Sequence, residues 1–110
     1  YLFSDQDRSR ERIHTLVYWK EKIEYSHLHD NFVLYLQPIM HVKTKVTSHY
    51  EVLLRMKDND GSMLSPADFI PAAEHTGLIH AIDHMVLRKA ISQIAQIYKN
   101  GFHATFSINL

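Results

Sequence analysis

Two neighbouring apolar segments decide how the chain folds: NFVLYLQPIM at residues 31–40 and VTSHYEVLLRM at residues 46–56. The first is rich in aromatic and β-branched residues and too short for a capped helix, so it predicts a buried strand, and the second predicts another strand. Pro38 is typical of an edge strand or of the end of a strand. Only the polar residues 41–45 separate the two segments. Because a parallel crossover needs at least about ten residues, the pair is predicted to form an antiparallel hairpin.

A turn and a short helix are predicted after the hairpin. Residues 57–61 (KDNDG) have the composition of a turn. Ser65 is the expected N-cap of the helix, because Pro66 follows at the first helical position and Asp68 lies near the positive end of the helix dipole. Gly77 is the residue expected to end this helix in a left-handed conformation.

A long helix and a third strand complete the pattern. Residues 78–99 carry apolar side chains at helical spacing over a wide sector, which predicts a helix packed against a sheet. Residues 102–110 (FHATFSINL) predict a strand. The connection between the second and third strands is long enough for a parallel β-α-β unit with a right-handed crossover.

The region before the hairpin is predicted to be helical in part. Residues 1–12 carry mixed charges, and we interpret them as a linker or as the foot of a helix. From Ile13 the apolar residues recur at roughly helical spacing, which predicts an amphipathic helix to about His29. Trp19 is expected to be one of the residues that anchor this helix.

The composition limits the classes of protein to which the chain can belong. It has 110 residues, enough for one domain at most, and the 45% apolar share is that of a globular protein. The 12 Lys and Arg balance the 12 Asp and Glu, which argues against a nucleic-acid polymer as a partner. The sequence has no cysteine for a disulfide or thiolate site, and no apolar run of the roughly 18 residues that span a membrane.

The predicted topology belongs to a fold larger than this chain. A hairpin followed by one β-α-β unit is the opening of an α/β barrel, which takes roughly 250 residues. The sequence also begins without an initiator methionine. We therefore expect an excised piece of a longer protein, with the rest of the barrel beyond Leu110.

Four blocks of sequence carry a resemblance to a known family. They are LQPI at residues 36–39, YEVLLR at 50–55, LSP with FIPAAE at 64–74, and SINL at 107–110. In this order and at these distances they resemble the EAL domain family, the cyclic di-GMP phosphodiesterases of bacterial second-messenger signalling. The resemblance extends from about Trp19 to Leu110.

The resemblance implies a fold and a domain organisation. The fold is α/β, the N-terminal portion of an EAL-type modified (β/α)8 TIM barrel in which an antiparallel first hairpin is followed by a β-α-β unit. Residues 1–18 would be a linker or connector helix from an upstream GGDEF or sensor domain. Residues 19–110 would be the N-terminal part of a truncated EAL domain, in the bacterial cytoplasm or in the cytosolic part of a larger protein.

The resemblance also implies hydrolysis of cyclic di-GMP to linear pGpG with Mg²⁺ or Mn²⁺. Glu51 and Asn109 match the family's metal ligands, and such hard cations prefer oxygen ligands. Arg55 matches the arginine that contacts the substrate phosphate, and Leu53 the leucine beside a guanine. Gln37 matches a glutamine near the substrate-binding face.

Each of these residues also has a plainer interpretation. Glu51 fits a solvent-facing edge residue, Asn109 a cap at the end of a strand, and Arg55 a partner in a surface salt bridge. Gln37 fits equally well a backbone hydrogen bond beside Pro38.

Two departures from the family pattern are apolar and cast little doubt on it: Val52 replaces the alanine of the motif, and Met56 stands where tryptophan is common. The family's further acidic ligands and its water-activating lysine fall beyond Leu110, so the chain alone is expected to be inactive. The alternatives are a non-catalytic cyclic di-GMP receptor and a self-associating interaction module such as a homodimer. Pairs of histidines could hold a transition metal but are expected to be solvated; they are His27 with His29 and His80 with His84.

Overall fold

The computed structural model describes residues 5–45 and 47–109, which form a sheet with helices packed against one of its faces. The elements in chain order are α1 (Asp5–Leu28), β1 (Phe32–Met40), β2 (Thr47–Lys57), β3 (Met63–Leu64), α2 (Pro66–Thr76), α3 (Ile79–Lys99) and β4 (Thr105–Ile108).

The antiparallel hairpin predicted from the short connection is confirmed. β1 and β2 pair from Phe32 opposite Met56 to Met40 opposite Thr47, with an irregularity after Ile39. Val46, the expected first residue of the second strand, lies outside the described residues.

The second strand is the centre of the sheet. β1 borders one side of β2, while β4 and β3 share the other side. β4 pairs in parallel with residues 49–52, which confirms the predicted β-α-β unit, and β3 pairs antiparallel with residues 56–57. The sequence did not predict β3, because a strand of two residues is too short to show any alternation of apolar and polar side chains.

The third predicted strand is shorter than expected. It begins at Thr105 rather than at residue 102, because the end of α3 still holds the backbone before it. The N–H of Gly101, which has φ +90°, bonds to Tyr98 O at 3.0 Å, and the N–H of Phe102 bonds to Ile97 O at 3.4 Å. Leu110, the expected last residue of the strand, lies outside the described residues.

The helix boundaries bear out the capping signals. The Ser65 N–H donates to Asp68 Oδ2 at 3.1 Å at the start of α2, and Gly77 ends that helix with φ +80°. The foot-of-a-helix interpretation also holds for residues 5–12, because α1 already begins at Asp5. Among the described residues, no helix is long and apolar enough to cross a lipid bilayer.

One hydrophobic core lies between the sheet and the helices. Alternate residues of β1 and β2 enter it, and α2 and α3 cover it, α3 with an apolar face that its helical spacing predicted. Trp19 packs against this core from α1, as expected. The buried residues that form it are Ile23, Phe32, Leu34, Val52, Met56, Phe69, Ala73, Ile82, Met85, Val86 and Ala90.

Candidate substrate and metal site

The opposite face of the sheet carries most of the side chains that the sequence singled out. Gln37 of β1 lies opposite Glu51 of β2, and Glu51 lies opposite Ser107 of β4. Since side chains alternate between the two faces of a strand, Leu53 and Arg55 share the face of Glu51, while the residues between them turn towards the core. The strand register alone thus puts four of the five predicted site residues on the same face of the sheet.

The fifth residue, Asn109, joins them through a direct contact. It directly follows the end of β4, and its Nδ2 donates a hydrogen bond to Glu51 Oε1 at 2.9 Å. The two residues are 58 positions apart in the sequence, and the parallel pairing of β2 with β4 brings them together. The contact unites the two residues predicted to be metal ligands.

The donor atoms of this pair fit a hard divalent cation. Glu51 offers carboxylate oxygens and Asn109 an amide oxygen, the kinds of ligand that Mg²⁺ and Mn²⁺ prefer. Glu51 is half-buried and Asn109 is exposed, so an ion can reach both. Within residues 5–45 and 47–109, no group of three or more His, Cys, Asp and Glu could hold a metal. The pair could therefore supply only part of a ligand shell.

A cavity of about 280 Å³ adjoins Asn109 and lies between β2 and the helices α2 and α3. It opens along residues 53–55, the part of β2 between its pairing with β4 and its pairing with β3. Ile70, Ile79 and Val86 contribute apolar walls, Leu53 borders the opening, and the volume is close to the lower end of small-molecule pockets, roughly 300 Å³. The cavity is suited to a flat, largely apolar group such as a nucleobase.

Arg55 lines this cavity and offers a cation to a ligand. Its Nη1 donates to the backbone oxygen of Leu54 at 2.7 Å, which fixes the guanidinium close to β2. The remaining N–H groups of a guanidinium can bind the two oxygens of a phosphate in parallel. This hydrogen bond is with the backbone. The surface salt bridge considered for Arg55 is not among the ion pairs of the described residues.

Asp83 of α3 also lines the cavity, and the sequence reasoning missed it. It is the one acidic residue of the helix from Ile79 to Lys99. Its position between Ile79 and Val86 puts it on the apolar face of that helix, which is a signal that could have found it. A half-buried carboxylate in an apolar wall is suited to accept hydrogen bonds from a ligand.

The histidine pairs do not form a site in the described part of the chain. His27, His29, His80 and His84 are all exposed, as expected for solvated side chains. On the site face of the sheet, His49 makes a polar contact: its Nε2 lies 2.6 Å from Ser107 Oγ.

Comparison with known protein sequences gives matches along the whole chain. The EAL domain family model matches residues 20–110. The signalling protein YkoW of Bacillus subtilis is 31% identical over 110 residues, which is 100% of this chain and 13% of that protein. The cyclic di-GMP phosphodiesterase PdeB of Shewanella oneidensis is 33% identical over 114 residues, again 100% of this chain and 13% of that protein. The chain thus spans about an eighth of the length of these relatives.

Solved structures agree in fold. The FimX EAL domain of Xanthomonas citri in complex with c-diGMP superposes with a TM-score of 0.78 at 27% identity, covering 92% of this chain and 39% of that one. The PaMucR phosphodiesterase in complex with c-di-GMP gives a TM-score of 0.70 at 29% identity, covering 82% of this chain and 36% of that one.

Proposed function

Because the chain belongs to the EAL domain family, we propose that it forms part of a bacterial signalling protein that hydrolyses cyclic di-GMP to linear pGpG with Mg²⁺ or Mn²⁺. The observation that supports this most is the 2.9 Å contact between Glu51 and Asn109, which joins two oxygen-bearing side chains from distant positions beside a cavity of nucleobase size.

Different residues of the site would bind the cation, the phosphate and the base. Glu51 and Asn109 would hold the cation, which when bound neutralises phosphate charge and lowers the pKa of a bound water. Arg55 would bind a phosphate of the substrate through its guanidinium. Leu53 would form the apolar wall against a guanine, and Gln37, opposite Glu51, would offer an amide at the same face.

The wider organisation is also a proposal. The helix α1 would connect the domain to an upstream GGDEF or sensor domain, and the protein would work in the bacterial cytoplasm. Since Glu51 and Asn109 are too few ligands for a two-metal site, we expect the chain by itself to bind cyclic di-GMP without hydrolysing it.

A second candidate function is that of a non-catalytic cyclic di-GMP receptor. The cavity favours it, because Leu53, Arg55 and Asp83 could hold a nucleotide without any cation. The two functions share this pocket and differ only in whether the phosphodiester bond is cleaved.

Two measurements separate these possibilities. Calorimetric titration of cyclic di-GMP into the 110-residue chain tests binding, and chromatographic detection of pGpG after incubation with Mn²⁺ tests hydrolysis. We expect binding by the chain, and pGpG only from a longer protein that supplies further ligands. Binding by that protein without pGpG would favour the receptor. Absence of binding by both would contradict both functions, and pGpG from the chain alone would contradict our count of ligands.

A further inference from the structure

Two long stretches of the chain contain no acidic residue, and the fold brings parts of them together. Residues 31–50 and 84–110 contain neither Asp nor Glu. The turn at residues 41–45 belongs to the first stretch, and the connection at residues 100–104 belongs to the second. Since β4 begins beside the beginning of β2 in a parallel register, both connections lie at the same end of the sheet.

Basic side chains are concentrated at this end. Lys43 and Lys45 lie in the β1–β2 turn, and Lys99 is the last residue of α3; all three are exposed. His41 and His103 are exposed beside them. The ion pairs described for the chain's lysines lie elsewhere, and within the described residues none involves these three lysines. We call the turn 41–45 and the segment 99–104 the cationic end.

The cationic end also exposes apolar side chains. Val42 is 85% exposed between the basic residues of the turn, and the neighbouring Met40 is 55% exposed. On the adjacent connection, Phe102 is 46% exposed, with its ring centroid 6.0 Å from that of Tyr50 in β2. This contact holds the connection against the sheet, at the same end as the turn.

We propose that the cationic end docks on an anionic lipid surface. The lysines would lie against the negative headgroups, and Val42 would enter the interfacial layer below them. Each lysine near an anionic membrane raises the partition coefficient about fivefold, and burial of one valine raises it roughly tenfold. The lipid surface is the better match, because it presents negative headgroups beside an apolar layer over its whole area, as the turn at residues 41–45 presents lysines beside the exposed Val42.

This docking leaves the candidate site free. Arg55 is six residues along β2 from His49, which places the cavity about 20 Å from the cationic end. The two ends of the sheet can therefore act at the same time, and the proposal stands whether or not cyclic di-GMP is the ligand of the cavity.

Vesicle co-sedimentation tests the proposal with the 110-residue chain. We expect binding to phosphatidylcholine vesicles that contain phosphatidylglycerol, weaker binding as salt is added, and no binding to phosphatidylcholine alone. The double variant Lys43→Gln/Lys45→Gln should bind roughly 25-fold more weakly. The variant Val42→Ser, which keeps every charge, should bind roughly tenfold more weakly.

The matched control is Lys20→Gln/Lys57→Gln, which removes two positive charges from exposed positions outside the cationic end. It should bind like the original chain, and circular dichroism should show the same fold for all variants. Failure to bind phosphatidylglycerol vesicles at low salt would overturn the proposal, as would an equal loss in the control. Binding to poly-glutamate but not to vesicles would overturn it in favour of an acidic protein partner.

Discussion

At the scale of single residues, a substitution of Glu51 can test whether its carboxylate is a metal ligand or only a hydrogen-bond acceptor. Glu51→Gln keeps the size of the side chain and an oxygen for Asn109 Nδ2, but it removes the charge that a cation requires. We expect pGpG formation by a phosphodiesterase containing this chain to fall by at least about 100-fold, measured by chromatography at saturating Mg²⁺. Glu74→Gln, an exposed change on α2, should leave turnover unchanged. Near-normal turnover of Glu51→Gln would remove this residue from the metal site.

Arg55 is expected to contribute to binding more than to cleavage. Arg55 borders the opening of the cavity, and a charged hydrogen bond to phosphate contributes about 1.5–3 kcal/mol. Arg55→Ala should therefore weaken the binding of cyclic di-GMP by roughly 10- to 100-fold in a calorimetric titration. Arg88→Ala, which removes an exposed arginine from α3, is the matched control and should leave the dissociation constant unchanged. An unchanged constant in Arg55→Ala would contradict the assigned role.

Asp83 is expected to select guanine over adenine. A carboxylate can accept hydrogen bonds from N1–H and the amino group of guanine together, whereas adenine has no N1–H to donate. Asp83→Asn should therefore lower the preference for cyclic di-GMP over cyclic di-AMP, by roughly tenfold for one charged hydrogen bond. The measurement is a pair of titrations on each protein. An equal loss of affinity for both nucleotides would indicate that Asp83 only shapes the cavity.

Sequence and structure differ at the residue scale in what they can reveal about the site. The family motif singled out Glu51, Leu53 and Arg55, and the strand register puts them on one face, because a period of two fixes which side chains share a face. Asp83 was missed, because its contact with the cavity depends on how α3 docks on the sheet. No local pattern in a helix encodes that docking, apart from one charge within an apolar stripe.

At the scale of elements, an ion pair joins α1 to the turn after β2. Lys22 Nζ lies 2.6 Å from Asp58 Oδ1, and this hydrogen bond lowers the pKa of Asp58 and raises that of Lys22. A carboxylate with a lowered pKa stabilises the fold above its usual value of 3.8 and loses that contribution as the pH falls through its lower pKa in the folded state. The pair is therefore expected to stabilise the docking of α1 at neutral pH and not in strong acid.

Asp58→Asn tests this pair. We expect a lower denaturant midpoint than that of the original chain at pH 7, and a difference that shrinks as the pH is lowered below 3.8. The same substitution in a Lys22→Gln background should change the midpoint little, because the cation is already absent. A pH-independent effect of Asp58→Asn would show that the turn, rather than the ion pair, depends on this residue.

The boundaries of the elements were less predictable than their order. The sequence located the hairpin, the α2 caps and the β-α-β unit, because each depends on connection length or on cap residues close in sequence. It placed the start of the third strand three residues early, because the hydrogen bonds of Gly101 and Phe102 to the end of α3 compete with strand pairing. The pattern of apolar residues does not reveal these hydrogen bonds.

At the scale of the whole molecule, the described part of the chain is elongated. Its Cα radius of gyration is 17.9 Å, against about 13 Å for a compact chain of this length. The helix α1 accounts for much of the difference, since its 24 residues span about 36 Å and the side chains it buries, Ile23 and Ser26, lie near its C-terminal end. The stability of the fold therefore depends on the single core between the sheet and the helices.

Met56 provides the sharpest test of that dependence. Its side chain is completely buried between β2 and the helices, whereas Met63, in the neighbouring β3, is 40% exposed. Met56→Ala should reduce the free energy of unfolding by about 2–5 kcal/mol, because it removes buried surface and leaves a cavity. Met63→Ala makes the same chemical change and should cost well under half as much, measured by denaturant unfolding of both variants. Small domains are stable by only about 5–15 kcal/mol. The Met56→Ala variant is therefore also expected to unfold in one transition, at a much lower denaturant concentration than the original chain. Equal losses in the two variants would mean that β2 and the helices do not share one core.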